Sequence, residues 1–169
     1  MNSPYMGKFR VTQEYKGAEH DGLDLVGIDS KEIHSTVNGI VHYAGWENST
    51  DHSQGFGQYV CVEGTDGRFY YYGHLSEIRV AFGQPVKITD VLGVEGSTGH
   101  STGSHCHYCV RPQFAKGNAF NVSEISGIPN VLETYDDGHR PGTAPTKATI
   151  SVALTIDGMT YEGTLTEKQ

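Results

Sequence analysis

Residues 96–111 read GSTGHSTGSHCHYCVR and join a loop of small polar residues to a short run of aromatic and β-branched residues. This composition predicts a loop that leads into a buried strand. Because successive side chains of a strand point to opposite faces, we expect His105 and His107 on one face and Cys106 on the other. Two imidazoles side by side on a rigid strand indicate a candidate metal site.

The chain of 169 residues is long enough for one domain with a hydrophobic core and short for two. Its 22 Gly and 10 Tyr, with short apolar runs between the glycines, predict a mainly β fold with tight turns. The three cysteines are an odd number and too few for a disulfide framework. We expect all three to be reduced and mostly buried.

The formal net charge of −8 argues against a nucleic-acid binder, because a phosphate backbone requires a basic surface. No run of about 18 apolar residues could span a bilayer. The first residues, MNSPYMGKFRV, lack the apolar stretch of a signal peptide. The sequence therefore predicts a soluble chain, made in the cytoplasm without a Sec-type signal, with no membrane span.

Strand and turn signals recur along the chain. Four stretches are expected to form strands: residues 8–15, the stretch from Gly22, residues 58–64 and residues 68–72. Residues 33–46 predict two short strands joined at Asn38-Gly39, a strong hairpin signal. Residues 121–127 predict a short helix with Asn121 or Ser123 as its cap.

The chain is expected to divide into three parts. Residues 1–135 would form the main domain. Residues 136–146 (DDGHRPGTAPT) have the composition of a linker. Residues 147–169 alternate twice around Asp157-Gly158, which predicts a β-hairpin tail or the start of a truncated second domain.

Further residues that could bind a metal lie outside the stretch 96–111. His20 lies on a loop entering a strand, and Asp24 lies within that strand, where a carboxylate is costly unless it is paired or binds a cation. Zinc in hydrolases typically takes three His or Asp/Glu ligands and leaves one position to water, and His20, Asp24 and His107 would supply that set. His74 and His105 could then accept a proton from the water and donate to the oxyanion. The alternative for His20 and Asp24 is a structural hydrogen bond at a turn.

The chain resembles the lysostaphin/LytM-type zinc metalloendopeptidases, which cut peptide bonds in bacterial peptidoglycan. The resemblance runs from about Phe9 to Asn121 and includes six motifs in the family's order. They are HxxxD at residues 20–24, NGIVHYAGW at 38–46, GFGQYV at 55–60, YYGHLS at 71–76, GQPV at 83–86 and GSTGxSTGxHxH at 96–107. Six motifs in order are far more specific than any one of them.

This resemblance implies an antiparallel β-sheet with loops that wall a groove. It also implies roles by position. His20, Asp24 and His107 would be the zinc ligands, with one Zn²⁺ per chain, and three other residues would act on the substrate. His74 and His105 would be the catalytic pair, and Tyr15 would contact a substrate carbonyl.

Two features depart from the family pattern, and two further residues near the predicted site are expected to have no role. Many relatives have Glu at the position of Cys109, which is expected to be a buried apolar residue, with a thiolate near the metal as the alternative. Residues 47–54 are polar and would form an insertion in a loop over the groove. Asp21 is expected to be solvated, and His100 is expected to be a loop residue without a role.

The sequence therefore predicts a zinc-dependent endopeptidase that hydrolyses stem or cross-bridge peptide bonds of peptidoglycan. A phage or prophage lysin, delivered in a phage particle or released through a holin pore, would reach the cell wall without a signal peptide. The alternative is a catalytically silent LytM-like regulator or a wall-binding protein. The presence of all five metal-ligand and catalytic residues favours the enzyme.

Overall fold

The computed structural model describes residues 1–139, 150–156 and 159–165. These residues form thirteen strands and one short helix. In chain order the elements are β1 (Lys8–Gln13), β2 (Leu23–Gly27), β3 (Glu32–His34), β4 (Gly39–Trp46), β5 (Gln58–Gly64), β6 (Phe69–Leu75), β7 (Glu77–Ile78), β8 (Pro85–Val86), β9 (Val91–Val94), β10 (Cys106–Arg111), α1 (Val122–Ser126), β11 (Thr134–Asp136), β12 (Ile150–Ile156) and β13 (Met159–Leu165).

The main sheet is antiparallel and has eight strands in the order β11-β1-β2-β10-β6-β5-β4-β8. A second sheet, in the order β3-β9-β7, covers part of one face. Ile33 of β3 and Leu92 of β9 belong to the same buried cluster as Leu25 and Tyr72 of the main sheet, so the core lies between the two sheets. The predicted mainly β, antiparallel fold is confirmed.

Strand β10 lies near the centre of the main sheet and shows the expected alternation. Cys106, Tyr108 and Val110 are buried in the core. Cys109 lies on the opposite face, in a smaller cluster with tyrosines of the neighbouring strands. His107 shares the face of Cys109, so the sheet itself separates the metal-ligand face from the core.

All three cysteines are reduced and fully buried, as predicted. Cys61 and Cys109 lie opposite the same residue of β6, one on each side of it. A strand therefore separates the two thiols.

The predicted hairpin at Asn38-Gly39 is wrong. Strand β3 pairs with β9, whereas β4 pairs with β5 and β8. The Asn38 carbonyl accepts a hydrogen bond from the Thr65 amide, and its side-chain oxygen accepts one from the Ile88 amide, each at 2.9 Å. A Cβ at Gly39 would collide with the backbone of Glu63, so glycine is required here by the close approach of β4 to β5.

Helix α1 follows the prediction. The Asn121 side chain accepts a hydrogen bond from the Ser123 amide at 3.2 Å, which identifies Asn121 as the cap. Gly127 ends the helix in the left-handed conformation, with φ of 72°. Among the described residues, no helix is long and apolar enough to cross a membrane.

The C-terminal part differs from the prediction in one respect. Strand β11 pairs with β1, with Asp136 opposite Lys8, so the main sheet includes the first residue of the predicted linker. Most of that linker, residues 140–146, lies outside the described residues. Strand β12 pairs antiparallel with β13, from Ile150 opposite Leu165 to Ile156 opposite Met159. The predicted turn at Asp157-Gly158 lies outside the described residues. The division into a domain, a linker and a tail stays a prediction.

Candidate metal centre

The pairing of β2 with β10 brings two of the predicted ligands together. His107 lies directly opposite Asp24 in the antiparallel register, so both side chains project from the same face of the sheet. His20 lies on the loop that enters β2, four residues before Asp24. Its Nδ1 lies 2.6 Å from the carbonyl oxygen of Glu14, which turns Nε2 of the ring toward Asp24.

The neighbours of the two imidazoles set their tautomers. The Glu14 carbonyl can only accept, so His20 Nδ1 carries the hydrogen. His107 Nε2 lies 3.2 Å from Asp21 Oδ1, and this carboxylate likewise accepts. The remaining ring nitrogens, His20 Nε2 and His107 Nδ1, lie 3.0 Å and 2.9 Å from the same oxygen, Asp24 Oδ1.

Three lone-pair atoms therefore converge on one point, and all lie within 4.8 Å of one another. Lone pairs repel, so this arrangement requires a proton or a cation between the atoms. His20, Asp24 and His107 thus fit a divalent cation with two nitrogen ligands and one oxygen ligand.

The electrostatics of the donor set are consistent with this fit. Burial alone would raise the pKa of Asp24, but hydrogen bonds with His107 and His20 hold that pKa well below its ordinary value. Burial alone would lower the pKa of His107, but the carboxylates of Asp21 and Asp24 raise it well above its ordinary value. Both shifts favour a positive charge beside the Asp24 carboxylate, which a bound cation would also supply.

His74 and His105 lie on the same groove as the donor set. His74, the residue before the last of β6, lies in the left-handed region with φ of 63°, a strained conformation for a residue with a side chain. Its Nδ1 donates to the Thr98 carbonyl at 2.8 Å, and His105 Nδ1 donates to the Gly103 carbonyl at 2.8 Å. Both rings therefore keep Nε2 free of the backbone, and their centroids lie 4.6 Å apart.

The two rings differ in their surroundings. Burial, reinforced by the neighbouring His105 and His107, lowers the pKa of His74 to about 4, so this ring is neutral at pH 7. His105 Nε2 lies 3.5 Å from Asp24 Oδ2, next to the donor set.

The groove has a volume of about 540 Å³ and is partly open to solvent. Glu47, from the polar stretch 47–54 that was predicted to lie over the groove, lines it together with the neighbouring Gly55. His100, for which no role was expected, also lines the groove. The Glu47 carboxylate forms an ion pair with Lys116 at 2.7 Å, which connects two loops across one end.

Residues 18–122 match peptidase family M23, a span that covers more than half of the chain and includes His20, Asp24, His74, His105 and His107. The chain belongs to this family.

Two relatives illustrate the range of the similarity. The DD-carboxypeptidase/endopeptidase Mpg of Neisseria meningitidis is 32% identical over 92 residues, which are 54% of this chain and 20% of that protein. The glycyl-glycine endopeptidase ALE-1 of Staphylococcus capitis is 32% identical over 93 residues, which are 54% of this chain and 24% of that protein. The chain thus matches less than a third of the length of either relative.

Among solved structures, the catalytic domain of the prophage-encoded M23 protein EnpA from Enterococcus faecalis superposes with a TM-score of 0.59 at 28% identity. The superposition covers 71% of this chain and 94% of the EnpA chain. The similarity to EnpA agrees with the predicted lysostaphin/LytM-like fold.

Asp21 was predicted to be solvated, and this prediction is wrong, because its carboxylate is held by two partners in this M23 domain. Its side chain is 24% exposed and bonds both His107 and Arg111. Burial alone would raise the pKa of Asp21, but hydrogen bonds with these two partners hold it well below its ordinary value. A loop residue beside a ligand gives no sequence signal for the direction of its side chain.

Arg111 was not predicted, although the alternation of β10 contained the signal. Residues 107, 109 and 111 share one face of the strand, so the rule that paired His105 with His107 also places Arg111 beside the groove. Its guanidinium lies 5.2 Å from the ring centre of Phe56 and 4.7 Å from that of Tyr71.

Two further candidates lie near the centre. The Tyr15 hydroxyl donates to the Ala119 carbonyl at 3.3 Å, and the Tyr15 backbone is held by the side chain of Asn130. Contact of Tyr15 with substrate stays a prediction. Cys109 is fully buried beside Tyr71, yet it also lies within 4.8 Å of ligand atoms of Asp21 and His107.

Proposed function

We propose that this M23 domain is a zinc-dependent endopeptidase that hydrolyses peptide bonds of bacterial peptidoglycan. The observation that carries the proposal is the convergence of three lone-pair atoms, from His20, Asp24 and His107, in a groove that His74 and His105 also line. A regulator or a wall-binding module has no need of an open metal centre with two free imidazole nitrogens beside it.

The donor set favours zinc over magnesium or calcium. Two imidazoles and one carboxylate are ligands that zinc commonly takes in hydrolases, whereas magnesium and calcium prefer oxygen ligands alone. When bound, zinc lowers the pKa of a water ligand to about 7 and polarises a carbonyl.

The two imidazoles outside the donor set divide the proton chemistry. His74 is neutral at pH 7, and because its Nδ1 hydrogen is held by the Thr98 carbonyl, Nε2 is the atom that accepts a proton from the attacking water. His105 would stabilise the charge that develops on the reacting carbonyl oxygen by donating a hydrogen bond from Nε2, which requires a proton on Nε2 in addition to the Nδ1 hydrogen that the Gly103 carbonyl holds. The backbone hydrogen bonds hold both rings in place before the substrate binds.

The groove suits a peptide substrate, because it is partly open to solvent and most of the side chains that line it are polar. The names of the relatives, a DD-carboxypeptidase/endopeptidase and a glycyl-glycine endopeptidase, support wall peptides as the substrate class and stem or cross-bridge bonds as the target. The site of action would then be the bacterial cell wall. The similarity to a prophage-encoded protein supports a phage or prophage lysin.

The experiment that tests the proposal follows the release of dye from labelled, purified cell walls. Wild-type protein should release dye, a chelator should stop the release, and added zinc should restore it. His107→Ala should lose both zinc and activity, whereas His74→Ala should keep zinc and lose about 10²–10⁴-fold in rate.

A His74→Ala variant that turns over at the wild-type rate would contradict the assigned role of this residue. Release that is unaffected by the chelator would contradict the metallopeptidase proposal as a whole.

A further inference from the structure

His107 lies between two carboxylates. Its Nδ1 faces Asp24 Oδ1 at 2.9 Å, on the side of the cation site, and its Nε2 faces Asp21 Oδ1 at 3.2 Å, on the opposite edge of the ring. The second oxygen of Asp21 accepts a hydrogen bond from Arg111 Nη2 at 2.7 Å. A continuous chain of polar contacts therefore runs from Asp24 through His107 and Asp21 to Arg111.

The far end of this chain is rigidly held. The Arg111 side chain is 7% exposed, and its Nη1 donates to the Ala115 carbonyl at 3.0 Å. The guanidinium also lies against the rings of Phe56 and Tyr71. Because Arg111 has so little freedom, the carboxylate of Asp21 that it binds is fixed in position as well.

A ligand imidazole usually donates its second N–H to an acceptor, which fixes the tautomer and the orientation of the ring and strengthens the ligand. For His20, the acceptor is the backbone carbonyl of Glu14. For His107, the acceptor is a side chain, and it is Asp21.

We propose that Asp21, held by Arg111, is a positioning residue of the metal centre. It fixes His107 in the tautomer that presents the Nδ1 lone pair to the cation, and so raises the affinity of the site for zinc. This inference rests on the proposed metal-dependent function, and it identifies which residue of the chain tunes that site.

The same side chains allow a rival arrangement, a second cation held by Asp21, His107 and Cys109. That cation would require His107 Nε2 to lose its hydrogen, and it would lie beside the positive charge of Arg111. Asp21 Oδ2 is already bonded to that charge at 2.7 Å. The geometry therefore favours a single cation, with His107 Nε2 donating a hydrogen bond to Asp21, over an arrangement with two cations.

The test is a zinc titration of the full chain against a chromogenic chelator, which gives both the dissociation constant and the number of bound ions. Asp21→Ala should bind one zinc ion about 10–100-fold more weakly than the wild type. Asp21→Asn should be intermediate, because its one amide oxygen can take the place of only one of the two carboxylate oxygens that accept from His107 and Arg111. Glu133→Gln is the matched control, since it removes a negative charge from an exposed residue that does not line the groove, and its affinity should be unchanged.

Two further measurements separate positioning from a merely structural role. Nitrogen-detected NMR of the zinc-loaded protein should show His107 as the Nε2–H tautomer, with a slowly exchanging proton in the wild type and a rapidly exchanging one in Asp21→Ala. Urea unfolding of the zinc-free proteins reports whether Asp21→Ala is folded. Cys109→Ala should bind zinc as the wild type does.

A folded Asp21→Ala protein with wild-type zinc affinity would overturn the inference and leave the proposed function standing. Two zinc ions on the wild type, one of them lost in both Asp21→Ala and Cys109→Ala, would establish the rival site. A wild-type protein that binds no zinc would instead refute the proposed function.

Discussion

Gly22→Ala should damage the metal centre without changing any polar group. Gly22 precedes β2, and a Cβ built on it would lie 2.6 Å from the Tyr108 carbonyl oxygen and 2.7 Å from His107 Nε2. Ordinary contacts of a Cβ begin at about 3.4 Å, so the backbones must separate at Tyr108 and the His107 ring must also shift or turn. Overpacking of this kind costs about 1–3 kcal/mol.

The same strain should also lower the affinity for zinc. If the His107 ring turns to relieve the contact, zinc binding must restore its position, and each 1.4 kcal/mol of that cost is about tenfold in affinity. We therefore expect zinc to bind Gly22→Ala about 10–100-fold more weakly. A chelator competition measures the affinity, and urea unfolding of the zinc-free protein measures the loss of stability.

Gly103→Ala is the matched control. Gly103 lies on the loop before β10, its carbonyl holds His105, and a Cβ added there meets nothing within 4 Å. This variant should match the wild type in both measurements. If Gly22→Ala also matched the wild type, the close packing of Gly22 against His107 would not be a feature of the folded protein.

Three further predictions concern stability. Burial alone would raise the pKa of Glu95, but hydrogen bonds from Lys31, Ser104, Tyr5 and the Gly27 amide lower this pKa in the folded protein. Glu95 therefore stabilises the fold at pH values above its unfolded pKa of about 4.3. This stabilisation is lost as the pH falls through the lower pKa of the folded protein. Glu95→Gln should therefore have a smaller free energy of unfolding than the wild type at pH 7. In urea unfolding, this free energy should also fall less steeply below pH 4.3 than that of the wild type. Asn121→Ala removes the cap of α1 and should cost about 1 kcal/mol by the same assay. Zinc should raise the unfolding temperature in a concentration-dependent manner, and a chelator should reverse the increase, because only the folded chain brings the donor set together.

The sequence predicted those features of the site that depend on short-range pattern. Alternation along β10 placed His105 and His107 on one face, and the cost of a carboxylate inside a strand identified Asp24 as a group in need of a partner. Which strand lies beside β10 depends on the order of the sheet, and that order is set by pairings between residues far apart in the chain. The resemblance to a known family supplied what the pattern alone could not.

The two wrong predictions share a physical cause. Asn38-Gly39 satisfies the rule for a two-residue turn, but Gly39 is required by the backbone of β5, which is distant in sequence. Asp21 resembles any loop carboxylate until Arg111, ninety residues later, is brought against it. Both errors come from contacts of long sequence separation, which local composition does not report.

The most direct test of the central claim is mass spectrometry of soluble fragments from purified bacterial walls incubated with the protein. The account predicts new amino termini at one type of peptide bond, absent when a chelator is present and absent with His107→Ala. Walls of several cross-link chemistries that remain intact with zinc-loaded wild-type protein would contradict it and would favour a regulator or a wall-binding protein.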